Sequence, residues 1–203
     1  MAEPDFPVAM LAQATLPTRF GHFNVAVFAV DGTPGEALAL MRGPLRGDVI
    51  PLVRLHSECL TGDVLGSLRC DCGQQLAAAM ELIAEASSGV LLYLRQEGRG
   101  IGLANKIRAY ALQDTGLDTV DANLALGLPV DRREYASAAG ILRQLGLRQV
   151  RLLTNNPLKS AALELHGIQV VERVPLAIPP NAVNSQYLRT KADRMGHLLA
   201  FEA

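Results

Sequence analysis

The three cysteines of this 203-residue chain lie together in the stretch CLTGDVLGSLRCDCG, residues 59–73. Ten residues separate Cys59 from Cys70, and one residue separates Cys70 from Cys72. Three thiols cannot pair completely as disulfides, and a closed structural zinc site needs four protein ligands. A catalytic zinc site typically has three protein ligands and keeps one position for water. The number and spacing of the cysteines therefore predict an open metal site.

Two other interpretations of the cysteines stay open from the sequence. A histidine could close the site as a fourth, structural ligand, and His56 is the nearest of the four histidines, three residues before Cys59. The cysteines could also be small buried apolar residues. The tight spacing of Cys70 and Cys72, followed by Gly73, speaks against that second alternative.

The charge of a three-thiolate site affects its chemistry. Three thiolates and one Zn²⁺ carry a net charge of about −1, which weakens the metal as a Lewis acid relative to a site of three neutral histidines. Positive neighbours offset this effect, and Arg54 and Arg69 flank the loop. The helix predicted to start near Gly73 also directs its positive end at the loop. Such a site can activate water for attack on an electron-poor carbon.

The composition excludes several classes of function. The formal net charge is −1 and aromatic residues make up 4% of the chain, without tryptophan, so no nucleic-acid-binding surface is indicated. No apolar run approaches the ~18 residues of a membrane span. The acidic Glu3 and Asp5 do not fit a signal peptide, which begins with basic residues. We expect a cytoplasmic protein that binds neither nucleic acid nor membrane. In the reducing cytoplasm, clustered cysteines act as metal ligands or catalysts more often than they form disulfides.

Hydrophobic patterning predicts the elements that position the cysteines. Apolar stretches bounded by glycine and proline predict early antiparallel strands, and helices alternate with strands from residue 74 onward, which is typical of parallel α/β structure. We expect an α/β protein with a layered α/β/α arrangement and a mixed sheet, in a single domain over residues 1–203. The predicted strands are 22–30, 36–43, 48–56, 88–95, 148–154 and 168–176, and the predicted helices are 74–86, 101–114, 131–145, 157–166 and 185–199.

Three further motifs carry polar groups outside the cysteine loop. QEGRG, residues 96–100, lies where a strand passes into a helix and is either a weak phosphate-binding loop or a plain tight turn. In VDRREY, Asp131 and Glu134 match a capping box with Asp131 as the N-cap of the next helix. TNNPLK predicts Asn156 as an N-cap and places Lys159 in the first helical turn, where an anion is favoured or where the lysine simply faces solvent.

Long stretches of the chain resemble one enzyme family, GTP cyclohydrolase II. The similar stretches are RLHSECLTGDVLGSLRCDCGQQL, LRQEGRGIGLANKIRAYALQD, DTVDAN, VDRREY and RLLTNNPLK, in one order over roughly residues 12–198. The resemblance implies hydrolysis of GTP that opens the guanine imidazole ring at C8. Formate and pyrophosphate are released and 2,5-diamino-6-(5-phosphoribosylamino)pyrimidin-4-one is formed, as the first step of riboflavin biosynthesis. We expect no fused 3,4-dihydroxy-2-butanone-4-phosphate synthase domain of the kind that some relatives carry.

The resemblance also implies ligands and a partner. It implies one catalytic Zn²⁺ per subunit on Cys59, Cys70 and Cys72, Mg²⁺ with the triphosphate of the substrate, and a homodimer. A carboxylate such as Glu97 is a suitable partner for the N1–H and N2–H₂ donors of guanine, which is our hypothesis for that residue. The GTP contacts that the resemblance implies are Arg54, Leu55, His56, Ser57, Glu58, Gln75, Glu97, Gly98, Arg99, Thr119, Thr154 and Lys159.

Three residues take catalytic roles by the same resemblance. Tyr110, which on its amphipathic helix alone would more often be a core residue, could orient water or donate a proton near C8. Asp131 would be a proton acceptor, and Arg133 a nucleophile on the α-phosphorus. A guanidinium is a poor nucleophile unless a neighbour takes its proton, so an Arg133 that only stabilises developing charge is a simpler account.

Other functions stay open beside this one. The chain could be a GTP-binding relative without turnover, although the retention of the three cysteines with Tyr110, Asp131 and Arg133 argues against that. It could be a paralogue acting on another nucleotide, because substrate changes need few residues. It could also be a small zinc-stabilised interaction module, which a four-ligand site and indifference to GTP would favour.

Gly100 replaces the polar residue, often asparagine, expected inside the QEGRG motif.

Overall fold

The structure is a computed structural model that describes residues 7–30, 35–176 and 178–198. Its internal contacts divide the chain into two compact units, each assembled from three separate stretches. The first unit holds the described residues of Met1–His56, Ala77–Arg95 and Glu134–Leu176, and the second holds those of Ser57–Leu76, Gln96–Arg133 and Ala177–Ala203. A single domain over residues 1–203 stays a prediction.

A mixed sheet forms the centre of the first unit. In the described residues it has seven strands, β1 (Val8–Thr18), β2 (Gly21–Val30), β3 (Glu36–Arg42), β4 (Leu52–Ser57), β5 (Gly89–Leu94), β6 (Gln149–Leu153) and β7 (Gln169–Val174). Their order across the sheet is β1-β2-β3-β5-β4-β6-β7. The pairs β1–β2, β2–β3 and β3–β5 are antiparallel, whereas β4–β6 and β6–β7 are parallel. This arrangement confirms the predicted α/β class and the antiparallel N-terminal strands.

The core of the first unit follows the apolar pattern of its strands. Strand β3 buries every second residue, as expected for a strand with one face on the core. Strand β5, GVLLYL, is buried almost continuously, which is typical of a strand covered on both faces. Phe28, Leu55 and Leu92 pack in one cluster with Ile141 and Leu142.

The described residues form seven α-helices. They are α1 (Leu60–Asp63), α2 (Cys72–Glu85), α3 (Leu103–Gln113), α4 (Thr119–Ala125), α5 (Ala136–Gln144), α6 (Pro157–Leu165) and α7 (Ser185–Met195). The N-cap prediction for α6 is confirmed, because the Asn156 side chain accepts a 3.0 Å hydrogen bond from the Leu158 N–H. None of the helices in the described part of the chain combines the length and hydropathy of a membrane span.

The sequence missed β1, α1 and α4, and it misplaced some boundaries. Strand β1 is exposed along almost its whole length, so it lacks the alternation of buried residues that identifies a strand. The predicted strand 48–56 begins only at Leu52, and the last helix ends at Met195 with a left-handed Gly196. Residue 199, where that helix was predicted to end, lies outside the described residues.

The predicted capping box at Asp131 is wrong. Helix α5 begins at Ala136, with Tyr135 in the N-cap position, instead of at residue 131. The Asp131 carboxylate accepts the backbone N–H of Arg133 at 3.0 Å, two residues onward. The Asn156 side chain makes the same kind of contact at the N-cap of α6, so this bond alone does not mark a helix start. Because no helix follows Asp131 directly and the Arg133 guanidinium also bonds the carboxylate, Asp131 lies in a loop before the helix.

Candidate active site

Three sulfur atoms converge within the second unit. The Sγ atoms of Cys59, Cys70 and Cys72 all lie within 4.8 Å of one another, and those of Cys59 and Cys70 are 3.7 Å apart. Two sulfurs bound to one tetrahedral zinc at ~2.3 Å each would be separated by about 3.8 Å. The group found among the described residues contains no histidine. The three sulfurs could therefore hold a metal ion in the open arrangement, not in the closed alternative with His56.

Two glycines allow the cysteine loop to fold tightly enough to bring the sulfurs together. A Cβ atom on Gly62 would lie 2.8 Å from the Cys70 Sγ and 3.1 Å from the Cys59 Sγ. A Cβ atom on Gly73 would lie 2.2 Å from the Gly62 carbonyl oxygen. Such distances are shorter than any ordinary contact. Neither position can carry a side chain without opening the loop, and sequence reasoning did not identify Gly62.

Backbone and carboxylate contacts fix the cysteines at both ends of the loop. The Asp63 carboxylate accepts the Cys59 N–H at 2.9 Å, and the Asp63 N–H donates to the Cys59 carbonyl at 2.7 Å. The buried Asp71 lies between the other two cysteines, and Lys191 of α7 donates to it at 2.8 Å. Because α2 begins at Cys72, its positive N-terminal end is directed at the sulfurs, as the sequence predicted.

A buried ammonium group contacts the sulfur cluster. Lys106 of α3 is 9% exposed, and its Nζ donates to the Cys59 Sγ at 3.1 Å and to Glu97 Oε1 at 2.8 Å. Hydrogen bonds from Cys70 and Cys72, followed by the Lys106 contact, lower the pKa of the Cys59 thiol. Burial lowers the pKa of Lys106, but the contacts with Glu97 and Cys59 more than reverse this, so the pKa is raised and the group stays charged. Sequence reasoning missed this lysine.

Tyr110 lies beside the sulfur cluster and not in the core. Its hydroxyl forms a hydrogen bond with Thr61, whose Oγ1 is 3.7 Å from the Cys59 Sγ. The Arg69 guanidinium lies over the tyrosine ring, 5.0 Å from its centre. Burial raises the pKa of Tyr110 to about 12, above its ordinary value, so the phenol stays in the protonated form that can donate a proton. The structure thus brings this predicted residue to the candidate metal site.

The QEGRG segment forms a turn with a left-handed backbone. Gly98, Arg99 and Gly100 have φ angles of 62°, 60° and 86°, and Arg99 is the one non-glycine with positive φ among the residues described. A non-glycine residue held in this region stores strain, which is often found at functional sites. A Cβ on Gly100 would be 3.1 Å from that of Arg132, a tight contact at a φ of 86° that disfavours the polar residue expected here.

Asp131 and Arg133 form a close pair next to this turn. The Arg133 Nε donates to Asp131 Oδ1 at 2.9 Å, and the Arg133 Nη2 lies 2.5 Å from Oδ2. The Arg132 N–H also donates to the Arg99 carbonyl at 3.0 Å, which ties the pair to the turn. Burial raises the pKa of Asp131, but Arg133 and, more weakly, Arg99 hold it below its usual range. The two predicted catalytic residues therefore form one ionised unit.

Four predicted GTP contacts gather in the first unit, where the parallel strands β4 and β6 end. The buried Arg54 donates to the Leu153 carbonyl at 3.0 Å, and Lys159 Nζ donates to the Leu55 carbonyl at 2.8 Å. Thr154, 1% exposed, accepts the Asn156 N–H at the start of α6. The solvent-facing alternative for Lys159 is wrong, because it is 6% exposed. Ligands of α/β proteins commonly bind at the carboxyl ends of parallel strands.

Comparison with known proteins identifies the family of the chain. The family model described as GTP cyclohydrolase II matches residues 9–175. The chain belongs to the GTP cyclohydrolase II family. It is 57% identical over 95% of its length to the GTP cyclohydrolase-2 of Acinetobacter baumannii strain AYE, covering 96% of that protein, and 55% identical to that of Histophilus somni strain 2336, covering 89%.

Some relatives in this family are longer. The chain is 58% identical to the riboflavin biosynthesis protein RibBA of Salinispora tropica over 95% of its own length. It spans 48% of the length of that relative. The region matched by the family model, residues 9–175, includes all the predicted site residues, from Arg54 to Lys159, and leaves out Lys191.

The other GTP contacts expected from this family occupy varied positions. In the second unit, the Ser57 hydroxyl donates to Gln96 at 3.2 Å, the Gln75 amide donates to Asp71, and Thr119 is the first residue of α4. In the first unit, the buried His56 ring stacks on Tyr93 with centroids 5.5 Å apart. Glu58 is half-buried.

Proposed function

We propose that this chain is a zinc-dependent GTP cyclohydrolase II. It hydrolyses GTP with opening of the guanine imidazole ring at C8, and it releases formate and pyrophosphate. The product is 2,5-diamino-6-(5-phosphoribosylamino)pyrimidin-4-one, and the reaction is the first step of riboflavin biosynthesis. The observation that carries the proposal is the three-sulfur group without a histidine, in a chain of this family.

Zinc fits the donor set of the candidate site. Thiolate sulfur is a preferred zinc ligand, and three ligands with an open position are typical of catalytic zinc. The spacing of the Cys59 and Cys70 sulfurs, 3.7 Å, suits one tetrahedral ion, and Gly62 leaves the sulfurs free of steric contact. When bound, zinc would supply a Lewis acid that activates water against an electron-poor carbon.

Tyr110 acts as a proton donor and orienting group. Its phenol is protonated at neutral pH, as any tyrosine is, and burial raises the pKa further, to about 12; Thr61 holds the hydroxyl toward the sulfur cluster. Opening of the imidazole ring leaves a nitrogen that must gain a proton. A phenol with a raised pKa keeps its proton until such a base forms beside it.

The Asp131 and Arg133 pair acts on the phosphate chain. The carboxylate accepts hydrogen bonds from Nε and from Nη2, so it is placed to take a proton from the guanidinium, as a nucleophilic Arg133 would need. The same contacts keep Arg133 oriented as a charged clamp for the leaving pyrophosphate. Trapping a covalent phosphoguanylyl adduct on Arg133 supports the nucleophile, and its repeated absence supports the clamp.

Basic groups suited to the triphosphate are present in each unit. In the first unit, Arg54 lies within strand β4 and Lys159 lies in the first turn of α6. In the second unit, the Nη1 of Arg99 is buried and has no hydrogen-bond partner in the described part of the chain, which suits an anionic ligand. Mg²⁺ accompanies the triphosphate, the active form is a cytoplasmic homodimer, and the twelve predicted contacts bind GTP.

The decisive experiment measures formate and pyrophosphate from GTP. Purified protein with Zn²⁺ and Mg²⁺ is compared with Cys70→Ser and with Arg108→Gln, an exposed substitution on α3 that serves as the control. We expect equal release of both products by the wild-type chain and the control. Cys70→Ser should lose formate release and bound zinc. A wild-type chain that binds zinc but releases no formate from GTP would refute the activity, and release from ATP or another nucleotide would indicate the paralogue instead.

A further inference from the structure

Lys106 has no role in the proposed reaction, yet it occupies a central position at the sulfur cluster. Its Nζ lies 3.1 Å from the Cys59 Sγ, within the range of an N–H···S hydrogen bond, and it is 9% exposed. Lys191, by comparison, donates to the carboxylate of Asp71, which lies between two of the cysteines, and not to a sulfur atom. Among the hydrogen bonds of the described residues, Lys106 supplies the one from a cation to a sulfur.

Glu97 holds the ammonium group in this position. One of its carboxylate oxygens accepts from Lys106 Nζ at 2.8 Å and from the Gly98 N–H at 2.8 Å. The other oxygen accepts the backbone N–H of Leu60, the residue after Cys59, at 2.7 Å. A single carboxylate thus fixes both the lysine and the backbone next to the sulfur that the lysine contacts.

The turn before α3 sets the distance between these groups. Gly98 has φ 62°, and a Cβ on it would lie 3.2 Å from the Lys106 Cβ. The turn therefore passes directly against the stem of the lysine, and a side chain at position 98 would displace it. The geometry of the QEGRG segment serves this contact whether or not the segment also binds substrate.

We propose that Lys106 is a positioning residue that donates a charged hydrogen bond to the Cys59 thiolate and thereby tunes the metal held by the three cysteines. The proposal rests on the proposed zinc centre. A hydrogen bond to a thiolate withdraws electron density from the sulfur, so the sulfur donates less to the metal and the metal stays a stronger Lewis acid. This compensates for the weak Lewis acidity expected of a site with three anionic ligands.

The test replaces zinc with Co²⁺ and measures the sulfur-to-cobalt charge-transfer band. The variants are Lys106→Met, which removes charge and donor at similar length, Lys106→Gln, which keeps a neutral donor, and Lys106→Arg, which keeps charge and donor. Arg108→Gln removes a positive charge from the exposed face of the same helix and is the matched control. Formate release by the zinc forms gives kcat and KM separately.

We expect each variant to bind one cobalt per chain, with a graded shift of the band. The band should move to lower energy in Lys106→Gln and further in Lys106→Met, because a sulfur without the hydrogen bond gives up an electron more readily. The kcat of Lys106→Met should fall roughly 10- to 100-fold. Lys106→Arg should recover part of both properties, and Arg108→Gln should match the wild type.

Two outcomes would overturn the proposal. A band at wild-type energy in cobalt-loaded Lys106→Met would show that the lysine does not affect the sulfur. Loss of cobalt binding by all three folded Lys106 variants would assign the residue to holding the loop together. A wild-type chain that binds no Co²⁺ or Zn²⁺ would instead refute the proposed function, so the two failures are distinguishable.

Discussion

The substitution Gly62→Ala tests the geometry of the sulfur cluster most directly. The added Cβ would meet the Cys70 Sγ at 2.8 Å, the Cys72 Cβ at 3.0 Å and the Cys59 Sγ at 3.1 Å. Atoms in ordinary contact are about 3.5–4.0 Å apart, so at least one sulfur must move by about 0.7 Å. Metal–ligand distances in intact sites hold to about 0.2 Å. The substitution therefore prevents the three sulfurs from keeping the arrangement that one ion requires.

The expected magnitude follows from the cost of overpacking. Inserting a methyl group into a close-packed site costs about 1–3 kcal/mol, which corresponds to roughly 5- to 150-fold weaker metal binding if the cost falls on the metal-bound state. In the metal-free chain the sulfurs can move apart. Gly62 lies in α1, where alanine is favoured over glycine by at most about 1 kcal/mol, and this offsets part of the cost of opening the loop in the metal-free chain.

Chelator competition for Zn²⁺ measures the affinity, and thermal unfolding of the metal-free chain measures the stability. Gly66→Ala is the matched control in the same loop. No atom lies within 4 Å of its added Cβ, but the φ of 67° strains any residue other than glycine. The free energy of unfolding of this control should therefore fall by about 1–2 kcal/mol, while its zinc affinity stays at the wild-type value. Wild-type affinity in Gly62→Ala would refute the steric argument, as would an equal loss of affinity in Gly66→Ala.

Three further predictions concern the reaction and the stability of the fold. Tyr110→Phe should keep one zinc per chain but release formate with a lower kcat at similar KM, and unaltered formate production would remove Tyr110 from the mechanism. Arg133 holds the pKa of Asp131 below its usual range against the effect of burial. The ionised carboxylate therefore stabilises the fold at pH values above the pKa of the unfolded state, about 4. This stabilisation is lost as the pH falls through the lower pKa of the folded state. The difference in unfolding free energy between wild type and Asp131→Asn, measured in urea, should therefore be full at pH 7 and shrink in acid; a constant difference would contradict the pairing. Asn156→Ala should lower the free energy of unfolding by about 1 kcal/mol through loss of the N-cap bond to Leu158, and an unchanged urea midpoint would contradict that.

The sequence predicted those elements whose own residue pattern reflects their burial or their end groups. The apolar run of β5 and the Asn-Pro start of α6 both specify local structure, and both predictions are confirmed. Strand β1 could not be found this way, because its register comes from pairing with β2 while its side chains stay exposed. Asp131 shows the opposite failure: its spacing to Glu134 fits a helix start, but its side chain is engaged by Arg133.

The candidate site was predictable where chemistry requires particular residue types, and less so where packing alone decides. Three cysteines in one loop indicate a metal without any structure. Gly62 has no side chain, and its importance appears only in the structure, where two sulfur atoms and the Cys72 Cβ fill the space that a side chain would need. Lys106 lies 47 positions after Cys59 in the sequence, so no local spacing could pair them.

Glu97 now has two roles that compete for the same oxygen atoms. A carboxylate offers about four acceptor positions, two on each oxygen. Oε1 already accepts from Gly98 and Lys106, whereas Oε2 accepts from Leu60. To accept hydrogen bonds from guanine N1–H and N2–H₂ at the same time, the carboxylate needs one free acceptor position on each oxygen. Both positions on Oε1 are occupied, so Glu97 could bind guanine in that way only by giving up a contact on Oε1. If that contact is the one with Lys106, substrate binding would release the lysine and change the charge at Cys59. A predicted role in guanine recognition and a proposed role in metal tuning would then be coupled through one carboxylate.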